Sequence, residues 1–295
     1  MFAGLMLAAA LAAAGDDAKI SFTEADAKVA YASAKEFVLQ CTPRDAGTVR
    51  GKLAASWILD AVSMRGADIR RDVFHADTPK GTRSFTNLMC GFRSDPDAGW
   101  VVLLSHFDTK PGSNCPGAND GASTTGLLIA LASAINERGL PKGNLMMIWT
   151  DGEECMESYT DDDGFWGSKH AVASVRSNGI QVRAVICLDM LGDRDLRITI
   201  PSNGDATLSK IALHAARRAG LEDGFVRLVD DDVKDDHMPF LKAGFKAIDL
   251  IDFEYGSAPG RNDYWHTPED TIDKISVESL HKSGRLVAEI LNIIL

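Results

Sequence analysis

Short apolar runs recur through the middle of the chain, and most lack the polar alternation of a half-exposed strand. Val101-Val102-Leu103-Leu104, Leu145-Met146-Met147-Ile148-Trp149 and Ala184-Val185-Ile186-Cys187-Leu188 are the clearest. A strand covered on both faces by helices has this composition. The pattern predicts strands over 68–74, 84–91, 100–106, 144–151, 184–190, 196–201 and 246–252. Residues 22–67 predict two amphipathic helices around a turn-rich stretch at 41–48. A third helix follows Asn119-Asp120-Gly121 over 122–136, and a last one covers 277–294. Strand and helix patterns alternate from 86 to 250. The expected fold is therefore α/β, a single doubly wound domain whose mostly parallel central sheet is flanked by helices.

Composition agrees with one large core: 295 residues are 45% hydrophobic, with no linker-like stretch and no repeat. Residues 1–15 stand apart, apolar and ending in small Ala-x-Ala-like residues, as a secretory leader and its cleavage site do. The segment lacks a basic n-region, as a leader with a truncated start would, and it is shorter than the roughly 20 apolar residues of a membrane span. The expectation is a leader at 1–15, a mature domain at 16–295 and a secreted or periplasmic protein without a membrane span. A formal charge of -11 and the lack of a basic stripe interleaved with aromatics argue against nucleic acid as a partner. The triplets Asp161-Asp162-Asp163 and Asp230-Asp231-Asp232 read as solvated loop faces, the alternative being a negative rim that draws in cationic peptide N-termini. Five cysteines leave at least one thiol unpaired in a monomer. Cys90 and Cys187 read as small buried hydrophobes. Cys155 has no nucleophile signature around it, and a Cys115–Cys155 pairing stays open.

The chemistry is concentrated where the apolar runs end. Glu153 and Glu154 follow the run 145–150 and the turn-like Asp151-Gly152. Alone, such a pair reads as loop charge. Four further segments change that reading, delivering His106 and Asp108, Asp120, Asp189, and His266. Open α/β sheets bind ligands beyond the C-terminal ends of their strands. A mixed histidine and carboxylate set with an open position suits a dication, zinc best of all. Neighbouring side chains at a strand end diverge, so one glutamate can bind metal while the other moves a proton.

The ordered set His106-x-Asp108, Asp120, Glu153-Glu154, Asp189 and His266 resembles the M28 metallopeptidase family, which includes zinc aminopeptidases and the glutaminyl cyclases of animals and some bacteria. The resemblance runs from Cys41 to the C-terminus and includes Gly-Ala-Asn-Asp-Gly at 117–121, Asp-Gly-Glu-Glu at 151–154 and Tyr-Trp-His-Thr at 264–267. Three details look like a cyclase: the long loop from Glu154 to Phe165-Trp166-Gly167-Ser168, the Asp235-Asp236-His237-Met238-Pro239-Phe240 segment, and Trp265 directly before His266. One departs from the animal cyclases, which carry a histidine where this chain has Asp249.

Carried over residue by residue, the resemblance implies Asp120, Glu154 and His266 as ligands of one zinc rather than two. It implies Glu153 as the proton shuttle, Asp189 and Asp235 as acidic supports, and Tyr159, Trp265 and Asp249 at the substrate. The implied substrates are peptides or proteins with a free N-terminus, whose N-terminal glutamine closes to pyroglutamate with release of ammonia. The alternative is a zinc aminopeptidase, in which His106 and Asp189 would hold a second metal and Asp120 would bridge. A plainer reading keeps Trp265 as wall packing and Asp236-His237 as a helix start. A binding module without catalysis is disfavoured because every ligand and the glutamate base are present. A serine hydrolase is disfavoured because no Gly-x-Ser-x-Gly elbow occurs.

Overall fold

The apolar runs become the middle of an eight-stranded sheet in the computed structural model, which describes residues 19–295. The expected leader lies outside the described residues. The strands are β1 (Ile69–Thr78), β2 (Gly81–Arg93), β3 (Trp100–His106), β4 (Asn144–Thr150), β5 (Val182–Asp189), β6 (Ile198–Ile200), β7 (Val226–Leu228) and β8 (Ala247–Ile251). Their order across the sheet is β1-β2-β4-β3-β5-β8-β6-β7. The four central strands, β4, β3, β5 and β8, run parallel. Antiparallel pairings flank them, a β1–β2 hairpin joined to β4 on one side and the β6–β8 contact on the other. The four parallel strands therefore end on one edge, which is where the predicted ligands emerge.

Alternation along the central strands divides the core in two. Val101, Leu103, Leu145, Met147, Trp149, Ile186 and Leu188 pack with α1 (Glu24–Cys41), α2 (Val49–Ser63), α3 (Thr124–Arg138), α5 (Ala206–Arg218) and α7 (Val277–Ile294). Val102, Leu104, Met146, Ile148, Val185 and Cys187 face α4 (Trp166–Ser177) and α6 (His237–Lys242). Successive strand residues point to opposite faces, so both sets must be apolar, which is why these segments read as unbroken hydrophobic runs. Helix starts are fixed locally. Thr23 and Asp26 form a capping box on α1, and Thr48, Asp205 and Ser276 cap α2, α5 and α7.

The hairpin β1–β2 is longer than the predicted strands, turning at Gly81 with φ +88°. β7, with three residues, was not predicted; its Arg227 and Leu228 are exposed, and a strand that short offers no period to detect. Asp236 sits at the start of α6 but does not cap it with its side chain, which bonds to Thr150 instead. All five cysteines are buried free thiols, and Cys115 faces Asp270 while Cys155 faces Lys110. Among the described residues, no helix is long and apolar enough to cross a membrane.

Candidate active site

His106 is the last residue of β3 and Asp189 the last of β5, so the parallel sheet itself sets them side by side at its C-terminal edge. The chain after β3 turns through the irregular segment Ala118–Ser123 before entering α3, and this turn brings Asp120 against both. Nε2 of His106 lies 3.1 Å from Oδ1 of Asp120 and 3.1 Å from Oδ1 of Asp189. On the other side of Asp120, Nε2 of His266 is 2.8 Å from Oε1 of Glu154 and 3.5 Å from Oδ2 of Asp120. Among the described residues, three groups could hold a metal ion: His106, Asp120 and Asp189; Asp120, Glu154 and His266; and the buried Cys187, Asp235 and Asp249.

The glutamate pair is positioned by its neighbours. Gly152 adopts φ +85°, and a side chain there would strike Phe85 and Trp166. Asp108, considered above as a ligand, belongs to none of these groups; its Oδ1 lies 3.6 Å from Nδ1 of His106, behind that ring, and the carboxylate accepts the backbone N–H groups of Gly152, Glu153 and Glu154 at 3.0, 3.2 and 3.1 Å. That carboxylate dictates how the two glutamates diverge: Glu154 toward His266, Glu153 toward open space. Tyr159 Oη donates to Glu154 at 2.7 Å and approaches Glu153 at 3.1 Å. Its ring stacks on Phe165 and lies under Lys110 Nζ.

Asp163 differs from the expectation of a solvated face. It is buried and accepts backbone N–H groups from Met156, Glu157 and Ser158 at 2.7, 2.8 and 2.9 Å, curling the loop that presents Tyr159. Asp161 and Asp162 are exposed as expected, and so are Asp230, Asp231 and Asp232.

A cleft of about 270 Å³ opens on this group, near the lower end of ligand-pocket volumes. Asp120, Glu153, Glu154, Asp189, Asp235 and His266 line its floor; Tyr159, Ile251, Phe253 and Trp265 form apolar walls; Asp232, Val233 and Lys234 form the remaining edge. Trp265 packs over His266, with centroids 3.8 Å apart, and meets Phe253 at 5.1 Å. His266 holds φ +58°, a conformation a non-glycine residue keeps only when its surroundings impose it.

Asp249 is not at the cleft. It lies inside β8 opposite Cys187, two residues short of the strand end, and is fully buried. A residue at that register points into the packing beneath Asp235, so it is placed as an underlying acid rather than a substrate contact. Neither of its oxygens has a clear hydrogen-bond partner.

So many buried acids perturb one another. Burial, then the Glu154 charge, holds Glu153 well above the usual carboxylate range. Burial raises Asp189 and Asp235 to about 6 each, with His106 opposing the rise in both; the charges of Asp120 and Glu154 add to it in Asp189, and that of Asp189 adds to it in Asp235. Burial and Asp235 push Asp249 higher still. Burial, the largest single influence, would raise Asp120, but its bond to His106 and the charges of His106, His266 and Arg44 together outweigh it, and Asp120 moves down. Carboxylates packed this closely around two imidazoles make a donor set whose charge a dication would balance. The residues present fit a metal.

Several residues of the site carry no sequence signal. Asp270 accepts the backbone N–H groups of Asn119 and Asp120 at 2.7 and 3.1 Å and the hydroxyl of Tyr255 at 2.6 Å, fixing the ligand turn from below. Lys110 reaches within 3.6 Å of Glu154. Neither stands in a recognisable spacing with the ligands.

Comparison with known proteins follows the same lines. Residues 87–291 match the model of peptidase family M28. The chain is similar to the glutaminyl-peptide cyclotransferase of Drosophila melanogaster, 26% identical over 277 residues that cover 83% of this chain and 76% of that protein. Among solved structures it is similar to an Acidobacteriales bacterium glutaminyl cyclase, with TM-score 0.85, 30% identity, and coverage of 96% of this chain and 99% of that one. It is also similar to Bacteroides thetaiotaomicron glutaminyl cyclase bound to N-acetylhistamine, with TM-score 0.78, 25% identity, and coverage of 93% and 98%.

Proposed function

We propose that this chain, which belongs to peptidase family M28, is a zinc-dependent glutaminyl cyclase that converts N-terminal glutamine of peptides and proteins to pyroglutamate with release of ammonia. The observation that carries this reading is Glu153, a buried carboxylate facing a small, aromatic-walled cleft beside the Asp120, Glu154 and His266 group. A cleft of this size suits one terminal residue rather than an extended peptide. The similarity to glutaminyl cyclases at 25–30% identity supports the same assignment.

Asp120, Glu154 and His266 would hold the zinc, which would supply Lewis-acid polarisation of the substrate γ-carboxamide oxygen. Glu153 takes a proton from the substrate α-amine as the amine nitrogen bonds to Cδ. It returns the proton to the amide nitrogen, the Cδ–N bond breaks, and ammonia leaves. Asp235 and Asp189, acidic groups at the floor, hold the carboxamide nitrogen while it gains the proton. Trp265 and Tyr159 enclose the glutamine side chain and exclude water. Activity on peptides outside the cytoplasm, secreted or periplasmic, fits the apolar leader-like residues 1–15.

The proximity of His106, Asp120 and Asp189 also favours a second reading, a two-zinc aminopeptidase. Incubation with a Gln-initiated and a Leu-initiated peptide, read by mass spectrometry, separates them. The cyclase reading expects loss of ammonia from the first and no change in the second. Release of leucine, with two zincs per chain, would reject it.

Tyr159→Phe provides a second check. Losing the hydroxyl that bonds Glu154 and Glu153 removes a bond to charged groups worth about 1.5–3 kcal/mol, so kcat/KM should fall about 10–100-fold. Steady-state kinetics that match the wild type would remove Tyr159 from the site's workings.

A further inference from the structure

Arg44 is fully buried, yet it lies in the turn between α1 and α2, far in sequence from every residue of the site. Its guanidinium packs on the Phe37 ring, 4.9 Å from the centroid, and directs its donors at main-chain carbonyls. Nε donates to the carbonyl of Phe107, Nη1 to Pro116 at 2.7 Å, and Nη2 to Gly117 at 2.6 Å and Asp120 at 3.2 Å. Those carbonyls belong to two segments. Phe107 follows His106 at the end of β3, whereas 116–120 is the turn that carries Asp120. One planar fork thus ties together the two stretches whose side chains meet at 3.1 Å.

The turn requires such a clamp. Asp120 has ψ 98° and Gly121 φ +88°, so the backbone there departs from helical geometry and frees carbonyls that no helix bond satisfies. The space is shaped to the guanidinium: Gly117 sits at φ +64°, and a Cβ there would come within 2.5 Å of Nη2. The amide side of Asp120 is held by Asp270, its carbonyl side by Arg44.

We propose that Arg44 is the positioning residue that fixes Asp120 against His106 and Glu154 and thereby sets the metal affinity of the site. Its role rests on the reading of Asp120 as a metal ligand but not on whether the reaction is cyclisation or peptide hydrolysis. A residue behind a ligand that orients it typically changes metal affinity by about 10–100-fold when lost. Lysine keeps the charge but cannot reproduce the rigid fork.

The test measures zinc dissociation constants by competition with a chromophoric chelator, for wild type and Arg44→Lys, after circular dichroism and thermal melting of the zinc-free proteins establish that both are folded. The expected result is zinc binding at least tenfold weaker in the variant, with kcat recovering toward wild type at saturating zinc. A purely structural role would lower the melting temperature and leave zinc affinity unchanged. A dissociation constant within twofold of wild type overturns the proposal. Failure of the wild type itself to bind zinc overturns the metal reading, and the proposal with it. If Arg44→Lys does not fold, the wild type still decides. The Nε–H resonance of Arg44 should shift when zinc is added, and an unshifted resonance counts against the clamp.

Discussion

Glu153→Gln is expected to lower kcat on a glutamine-initiated peptide by about 10²–10⁴-fold, the range for removing a general acid–base. Zinc content should be unchanged. The two halves of this expectation come from one geometric fact, the divergence of Glu153 and Glu154 imposed by Asp108. Glu154 turns to His266 at 2.8 Å and forms a ligand group with it and Asp120. Glu153 belongs to none of the three candidate ligand groups among the described residues and instead lines the cleft. Glutamine has almost the same shape and still accepts the Tyr159 hydroxyl bond, so the cleft keeps its walls and KM should move little. What it cannot do is take a proton from the α-amine and hand it to the leaving nitrogen. Burial and the neighbouring Glu154 charge raise the proton affinity of Glu153, which suits a group that must both accept and release a proton in one turnover. Kinetics with parallel metal analysis checks this. A variant that loses zinc would point to Glu153 as a ligand, and one retaining more than a tenth of wild-type kcat would exclude it as the base.

The candidate site is legible wherever a polar residue ends a buried strand. β3, β4 and β5 are apolar on both faces because helices cover both, so His106, Glu153-Glu154 and Asp189 stand out as abrupt polar endings. Asp120 and His266 were visible only through their motif neighbours, since the turns that aim them depend on contacts from elsewhere. Those contacts had no local signature. Arg44 and Asp270 grip the Asp120 turn from positions 76 and 150 residues away, and a side chain that bonds backbone carbonyls or amides needs no particular spacing. Asp249 misled for a related reason: its place in the order of motifs matches a substrate-side position, but strand register decides depth, and it lies beneath Asp235. Asp163, one of three consecutive aspartates, is distinguished from its neighbours only by where the loop closes.

Removing the metal should abolish turnover and, beyond that, change how stability depends on pH. Asp120→Asn is expected to lose activity entirely, since Asp120 is common to the two candidate groups that contain a histidine and the amide is a far poorer zinc donor than the carboxylate. Chelation of the wild type should do the same and be reversed by zinc. The thermodynamic consequence follows from the acids left behind. In the zinc-free protein Asp189 and Asp235 hold their protons up to about 6, against an ordinary value near 3.8. The folded state then binds more protons than the unfolded state between those values, so its stability falls as pH rises through them. Below about pH 4 that loss is absent; above pH 6 it is complete. Bound zinc compensates the charge and adds its own binding free energy, about 2.7 kcal/mol when zinc stands at a hundred times its dissociation constant. Melting temperatures of the zinc-free and zinc-loaded protein should therefore lie close together near pH 4, where the His266 imidazole is protonated and zinc binds weakly, and separate steadily toward pH 7. Melting curves that stay parallel across that window would show that bound zinc does not compensate the charge of Asp189 and Asp235.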